Sequence, residues 1–127
     1  MDNKTIINSP NAPAPIGPYS QGVLVDQTLY ISGQIAINPS TGELMVDDIT
    51  TEISQVMKNI QAILEVAEMS FDQVVKCTIF VKDLGDFSII NETYGTFFGK
   101  NAPARETVEV SRLPKDVNLE ISCIACK

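Results

Sequence analysis

The feature that most constrains the fold is a long amphipathic segment in the middle of the chain. Between Thr51 and Met69, apolar residues recur at the i, i+3, i+4, i+7 spacing of a helix, at Ile53, Val56, Met57, Ile60, Ile63, Leu64 and Ala67. A helix with one apolar face has to cover other apolar structure. The segments on either side of it must therefore supply a surface on which it packs.

The region before this helix predicts a loop, a hairpin and a second loop. Residues 8–22 contain four prolines and two glycines, so we expect an extended, irregular loop. Residues 21–35 contain two apolar runs, which are typical of a β-hairpin, and Gly33 is expected to end or bulge the second strand. Residues 37–44 are rich in turn-forming pairs and predict a loop.

The region after the helix predicts a strand, a second helix and two more strands. Residues 73–82 alternate between apolar and mixed positions, as a half-buried strand does. A helix then runs from Gly85 to Gly99, and its apolar stripe is expected to pack in the core through Phe87, Ile90, Tyr94, Phe97 and Phe98. Two final strands follow at residues 104–112 and 117–126.

These elements predict one α+β domain over residues 1–127. A chain of 127 residues that is 44% apolar is long enough for one core and short for two. The predicted order is two or three strands, a helix, a strand, a helix and two strands. Both helices can then cover one face of a single mixed sheet, which leaves the other face for another molecule and indicates self-association.

The composition excludes several classes of function. The net charge of −7 disfavours binding to nucleic acids and to anionic membranes. The chain contains no histidine, which excludes Ser-His-Asp and Cys-His catalysis and histidine-based metal sites. No stretch is long and apolar enough to span a membrane, and the first residues lack a secretion-signal pattern, so a cytoplasmic protein is expected.

The three cysteines are expected to be reduced thiols. They are Cys77, Cys123 and Cys126, an odd number in a chain without a secretion signal. Cys123 and Cys126 have the spacing of a CxxC motif, but residues three apart on a strand point to opposite faces. A redox or metal function is therefore not expected for this pair.

Three side chains are candidates for chemistry, and each has a plainer alternative. Arg105 begins a predicted strand, on the same face as Thr107, and could bind a carboxylate through two parallel hydrogen bonds; a surface salt bridge is the alternative. Glu120 points away from the apolar positions of the last strand, where it is either solvated or buried by a second subunit with a raised pKa. Tyr19 either stacks on a ligand or anchors its loop.

Four stretches together resemble the Rid (reactive intermediate deaminase, or YjgF-like) family. They are APAPIGPYSQG at 12–22, YISGQI at 30–35, PARETVEVSRLPKD at 103–116 and EISCIA at 120–125. The resemblance runs from about residue 5 to the C-terminus. It implies a chorismate-mutase-like α+β fold, a homotrimer, and three ligand clefts at the subunit interfaces.

The resemblance also implies an activity and a set of site residues. Members of the deaminase branch hydrolyse 2-imino acids, such as 2-iminobutanoate and 2-iminopropanoate, to 2-keto acids and ammonia without a metal or cofactor. By motif, Arg105 would bind the substrate carboxylate and Glu120 would position or activate the attacking water. The residues that would shape the cleft are Tyr19, Ser32, Gly33, Asn91 and Thr107.

Two other functions stay open under the same resemblance. One is a non-catalytic regulator that binds small carboxylates, since an arginine-lined cleft binds them with or without turnover. The other is an endoribonuclease or translation inhibitor, against which the net charge and the absence of histidine argue. The chain departs from common family patterns at Ala102, Glu106 and Thr107, and the smaller Ala102 could widen the pocket.

Overall fold

A mixed β-sheet with two helices on one face organises the chain. The structure is a computed structural model and describes residues 3–127. Its strands are β1 (Lys4–Ile7), β2 (Gly22–Val25), β3 (Thr28–Gln34), β4 (Val74–Val81), β5 (Ala104–Glu109) and β6 (Leu119–Cys126), and its helices are α1 (Ile49–Val66) and α2 (Phe87–Gly95). The six strands lie in the order β1-β2-β3-β6-β4-β5. Only β4 and β5 pair in parallel, because α2 carries the chain across between them.

The apolar face of α1 packs on the sheet as its spacing predicts. The helix begins after Asp48, whose side chain accepts a hydrogen bond from the Thr51 N–H at 2.7 Å. It ends before Ala67, and Glu68 adopts a φ of 60° that a helix cannot continue through. The predicted span of 51–69 was therefore displaced by two to three residues from the observed one.

Both helices cover the same face of the sheet, which confirms the predicted layering. The sheet residues beneath them are buried and alternate along the strands: Leu29, Ile31, Cys77, Ile79, Val81, Leu119, Ile121, Cys123 and Ala125. The opposite face is only partly covered, and Tyr30 and Val108 are 50% and 42% exposed there. A smaller apolar cluster of Ile35, Leu113 and Val117 covers one end of that face.

The second helix is shorter than predicted. It ends at Gly95 rather than at Gly99, and Phe97 and Phe98 lie in the following turn, each with its ring centroid 5.5 Å from that of Phe71. The expectation that Phe87 packs in the core was wrong, since it is 39% exposed. Its ring lies instead beside Arg105.

Two strand features bear on the sequence predictions. β1 pairs antiparallel with β2 from the Lys4–Val25 pair onward, and it was not predicted because four residues are too short to show a pattern. The register between β3 and β6 shifts between Ile31 and Gln34, which confirms the bulge predicted at Gly33. Within residues 3–127, no helix is long and apolar enough to cross a membrane.

A buried amide joins α1 to the segment after β3. The Asn59 side chain is fully buried and donates hydrogen bonds to the carbonyl oxygens of Ile35 and Ile37, at 3.1 and 3.0 Å. The amide oxygen accepts from Gln55 at 2.9 Å. Asn59 therefore holds in place a loop that has little regular secondary structure of its own.

Replacing Asn59 with alanine is expected to lower the free energy of unfolding by about 2 kcal/mol or more, because the buried and partly buried hydrogen bonds to the Ile35 and Ile37 carbonyl oxygens are lost. Urea unfolding at one fixed protein concentration measures the change. Lys58→Ala, at an exposed position of the same helix, is the control and should stay close to wild type. Equal unfolding midpoints for the two variants would contradict the prediction.

Candidate functional site

A cavity of about 380 Å³ opens on the side of the sheet that the helices leave uncovered. Its walls come from the proline-rich loop, from the bulge of β3, from the loop after β3, from the turn before β6 and from the start of β6. The residues that line it are Pro13, Ala14, Ile16, Tyr19, Gln21, Ser32, Gly33, Gln34, Ile35, Ile37, Pro114 and Glu120. The cavity thus brings together four of the residues selected from the sequence.

Glu120 is the only carboxylate among the residues that line this cavity. It lies between the buried Leu119 and Ile121, so strand alternation directs it to the uncovered side, as predicted. Burial raises the pKa of its carboxyl group. No group within residues 3–127 donates a hydrogen bond to this carboxylate, which leaves it free to accept protons from a ligand or water.

Gly33 makes room for Glu120. A Cβ atom at Gly33 would lie 2.7 Å from Cδ and 3.0 Å from Cγ of Glu120, which is closer than such atoms approach one another. The bulge in β3 brings this glycine against the carboxylate. Only a residue without a side chain therefore allows Glu120 its observed position.

The proline-rich loop is attached to the sheet by Gln21. Its side chain is 1% exposed. It accepts a hydrogen bond from the Ser9 N–H at 2.6 Å and donates to the Ser9 and Pro13 carbonyl oxygens at 3.1 and 2.9 Å. The Gln21 carbonyl accepts from the Ser32 N–H at 2.9 Å. Sequence reasoning missed this residue, because a single polar residue at a loop end carries no recognisable pattern.

Tyr19 and Ser32 form part of the cavity wall but are also tied to the loop. The Tyr19 hydroxyl accepts a hydrogen bond from the Ile16 N–H at 3.4 Å, and the residue is 48% exposed. The Ser32 hydroxyl donates to the Ser20 carbonyl. The structure bears out the anchoring alternative for Tyr19 through its hydroxyl, while its ring stays accessible in the cavity and stacking on a ligand stays a prediction.

Arg105 lies elsewhere, in the edge strand β5 on the helix-covered face of the sheet. Its Nη1 donates to Asn91 Oδ1 at 2.7 Å, and its Cζ lies 5.1 Å from the ring centroid of Tyr94 and 5.6 Å from that of Phe87. The side chain is thereby clamped between α2 and the strand. Its other N–H groups donate to no acceptor within residues 3–127.

The alternative of a surface salt bridge is wrong for Arg105. The ion pair on this strand joins Glu106 to Lys76, at 3.1 Å, on the opposite face. Arg105 has no carboxylate partner within residues 3–127. Its guanidinium can therefore bind an external anion without first breaking an internal ion pair.

Two buried hydroxyl groups accompany Arg105. Thr107, on the same strand face, and Tyr94, beneath the guanidinium, find no hydrogen-bond partner for their hydroxyl oxygens among residues 3–127. Burial is the main cause that raises the pKa of Tyr94, so its phenol stays protonated at neutral pH. Buried polar atoms without partners are uncommon in folded proteins, and here they lie beside an unpaired cation.

The candidate residues therefore form two groups on opposite faces of one sheet. The glutamate group is Tyr19, Ser32, Gly33 and Glu120, and the arginine group is Asn91, Arg105 and Thr107. Arg105 is in register with Cys77 of β4, whereas Glu120 is in register with Phe80 of the same strand. Two strand spacings, roughly 10 Å, and the thickness of the sheet separate the two groups within one chain.

The cysteines lie as their spacing indicated, with one addition. Cys123 is buried on the helix side and Cys126 is exposed, so the CxxC residues do not meet. Cys77 and Cys123 are register partners on β4 and β6, which the sequence did not reveal because they are distant along the chain. Within residues 3–127, no three side chains of His, Cys, Asp or Glu are grouped to hold a metal ion.

The sequence is similar to that of a known protein family over most of its length. Residues 9–127 match the family described as endoribonuclease L-PSP. The 2-iminobutanoate/2-iminopropanoate deaminase of Rattus norvegicus is 45% identical over 122 residues, which cover 96% of this chain and 89% of the rat protein.

Solved structures share the fold as well. A crystal structure from Yersinia pestis, described as a member of the conserved Rid protein family, has a TM-score of 0.95 and 47% identity, with 98% of this chain and 99% of that chain covered. The crystal structure of E. coli TdcF with bound serine has a TM-score of 0.93 and 42% identity, with 97% of this chain and 98% of that chain covered. These similarities confirm the fold that the sequence resemblance implied.

Gly33→Ala is expected to displace the Glu120 carboxylate while leaving the fold intact, because the atoms it meets belong to the end of a flexible side chain. The pKa of Glu120 should then fall toward its ordinary value as the carboxylate moves into water. A carbon NMR titration of the Glu120 carboxyl measures this. Gly95→Ala, where an added Cβ meets nothing within 4 Å, is the control. A Gly33→Ala variant whose Glu120 titrates as in wild type would contradict the steric account.

Proposed function

The chain belongs to the Rid family, which is also described as the endoribonuclease L-PSP family, and on this premise we propose that it hydrolyses 2-imino acids to 2-keto acids and ammonia. The observation that carries the proposal is that, within residues 3–127, the chain has a guanidinium without a carboxylate partner and a half-buried carboxylate that accepts no hydrogen bond. A substrate with a carboxylate next to an electrophilic carbon matches both groups. The name of the rat relative states such an activity for that protein.

The proposal includes assembly into a homotrimer with a cleft at each interface. Arg105 and Glu120 lie on opposite faces, so one substrate can contact both only if they come from two copies. The two contact surfaces also differ, which makes the interface head-to-tail, and head-to-tail contacts of suitable angle close into rings. Each of the three clefts would then combine the arginine group of one subunit with the glutamate group of its neighbour.

In this cleft the reaction needs only proton transfer and positioning. Arg105 holds the substrate carboxylate, and Glu120 accepts a proton from water as the water oxygen bonds to the protonated imine carbon. Glu120 then returns this proton to the nitrogen and accepts the hydroxyl proton of the tetrahedral intermediate as the C–N bond breaks and the C=O bond forms. Ammonia takes up this last proton and leaves as ammonium, which restores the ionised Glu120 carboxylate. A positioned carboxylate of this kind contributes roughly 10² to 10⁴ in rate.

The lining of the cavity suits a short apolar side chain on the substrate. Ile16, Ile35, Ile37 and Pro114 present apolar surface close to Glu120. The ethyl group of 2-iminobutanoate or the methyl group of 2-iminopropanoate would contact this surface without leaving a polar group unpaired. This supports small aliphatic imino acids as substrates.

A regulator that binds small carboxylates without turnover is the second candidate. It is favoured by the solved relative TdcF, which was crystallised with bound serine. The same arginine group would bind the carboxylate of such a ligand. Cleavage of RNA is less supported, because a net charge of −7 opposes the approach of a polyanion.

The decisive experiment generates 2-iminobutanoate or 2-iminopropanoate in place with a pyridoxal-phosphate dehydratase and measures keto acid and ammonia release. Acceleration by this protein would support the hydrolase. Absence of acceleration, together with calorimetric binding of 2-keto acids, would support the regulator instead.

Glu120→Gln is expected to lower the turnover number about 10²-fold, because the base is lost while Arg105 still binds the carboxylate. In wild type, activity should fall as the pH decreases through the raised pKa of Glu120, since only the ionised carboxylate accepts a proton. The Gln variant should lack this acid limb. Because the folded state disfavours ionised Glu120, the wild type loses stability as the pH rises through this pKa, and the variant should not.

Kinetics across pH 4–8 test the predicted acid limb, and thermal unfolding over the same range tests the predicted loss of stability. Glu65→Gln, at an exposed helix position, is the control. A Glu120→Gln variant with wild-type turnover and an unchanged acid limb would exclude Glu120 as the base.

Arg105→Ala and Glu120→Gln subunits, each with strongly reduced activity alone, are expected to regain activity when co-expressed. A cleft works if one subunit supplies Arg105 and its neighbour supplies Glu120, so about one quarter of the clefts in an equal random mixture should be active. Hybrids carrying two different affinity tags isolate the mixed assemblies, and light scattering should give the mass of three chains. A trimer without restored activity would contradict shared clefts, and a monomer mass would contradict the assembly.

A further inference from the structure

Glu52 is a buried carboxylate that the site described above does not use. It lies in the first turn of α1 and is 0% exposed. Its Oε2 accepts hydrogen bonds from the backbone N–H groups of Asn118 and Leu119, at 2.8 and 3.2 Å. Its Oε1 accepts from the Asn118 side chain at 2.7 Å. All three donors belong to the two residues that immediately precede Glu120.

This contact does more than hold the helix on the sheet. The apolar stripe of α1 already does that through residues such as Ile53 and Val56, which are fully buried. Burying a carboxylate is unfavourable unless it is well hydrogen-bonded, and no Lys or Arg within residues 3–127 pairs with Glu52. The N-terminal end of α1 and three N–H dipoles compensate its charge instead. The Glu52 carboxylate therefore orients the backbone before Glu120, because the N–H groups of Asn118 and Leu119 both donate to one of its oxygens.

No group within residues 3–127 donates a hydrogen bond to the Glu120 carboxylate. Its place is therefore sensitive to the orientation of its own main chain and to the close approach of Gly33. The Gly33 contact is close, with 3.0 Å between a hypothetical Cβ and Cγ of Glu120. A rotation of the peptide groups before Glu120 would therefore move its carboxylate directly.

We propose that Glu52 is a positioning residue, which orients the start of β6 so that the Glu120 carboxylate stays half-buried over Gly33. The kinetic consequence rests on the proposed imine hydrolysis. The consequence for the location of Glu120 does not depend on any activity. The two consequences can therefore be tested separately.

Three variants of the helix start separate positioning from simple anchoring. Glu52→Ala removes all three hydrogen bonds. Glu52→Gln keeps an acceptor oxygen for the N–H groups of Asn118 and Leu119, and its NH₂ group can donate to the Asn118 amide oxygen once that amide turns over. Asp48→Ala is the matched control, because it removes the cap of the same helix without touching β6.

The first measurement is the carbon NMR titration of the Glu120 carboxyl in each folded variant. Glu52→Ala should lower the pKa of Glu120 toward its ordinary value as the carboxylate leaves its half-buried position. Glu52→Gln and Asp48→Ala should keep the wild-type value. A fall in Glu52→Gln as large as in Glu52→Ala would show that the charge of Glu52 matters rather than the hydrogen bonds, and would overturn the proposal.

The second measurement is the split between kcat and KM with 2-iminobutanoate. Glu52→Ala should lower kcat about tenfold or more, since misplacement of a reacting group by an ångström is that costly. The KM should stay within about twofold of the wild-type value, because Arg105, which binds the substrate carboxylate, lies outside the segment that Glu52 orients. Glu52→Gln should recover most of kcat, and Asp48→Ala should retain it.

If Glu52→Ala does not fold, Asn118→Ala replaces it, because it removes one of the three hydrogen bonds and should give a smaller change in the same direction. Equal effects of Glu52→Ala and Asp48→Ala on the titration and on kcat would show that Glu52 only anchors the helix. If the wild type does not hydrolyse imines, the titration alone decides this inference, so failure of the proposed function remains distinguishable from failure of the positioning role.

Discussion

One-sided burial of the sheet is the constraint on which the rest of this structure depends. Two amphipathic helices cover one face, so alternate residues of the strands β3, β4 and β6 lie in the core and the residues between them point to the other side. Glu120 follows the buried Leu119 and cannot avoid the uncovered face. Arg105, in register with the buried Cys77, is equally committed to the helix side. The separation of the two candidate groups within one chain is a direct consequence.

Three buried polar side chains place the irregular parts of the chain around the cavity. Gln21 fastens the proline-rich loop, Asn59 holds the segment after β3, and Glu52 holds the residues before Glu120. Each satisfies backbone groups that no strand or helix partner satisfies, which is the condition for burying such backbone. Apolar contacts could bury these segments equally well, but apolar contacts would not fix the orientation of the backbone peptide groups. The cavity wall is therefore built from loops that are held by hydrogen bonds.

The chemistry of the site follows from groups that folding leaves unpaired. The Arg105 guanidinium donates one hydrogen bond, to Asn91, and the Glu120 carboxylate accepts no hydrogen bond within residues 3–127. Such groups add little to the stability of a single chain, and a half-buried carboxylate with a raised pKa lowers it at neutral pH. Residues that are unfavourable for folding alone and complementary in charge are typical of a site for a ligand that bears both a carboxylate and a polar reactive centre.

The sequence by itself determined the layering of the fold and the identity of most candidate residues. Helical and alternating periodicities are local properties, so the amphipathic stripe of α1 and the outward direction of Glu120 could be predicted from a single segment. Motif resemblance selected Arg105 in the same way. Only the tertiary structure decided which strands are neighbours, that Gly33 lies against Glu120, and that the arginine and glutamate groups face opposite sides. Those facts depend on register and on contacts between residues far apart in the chain. Glu52 shows most clearly what the sequence cannot predict. Its three hydrogen-bond donors lie 66 and 67 residues away along the chain, so no local pattern indicates these contacts.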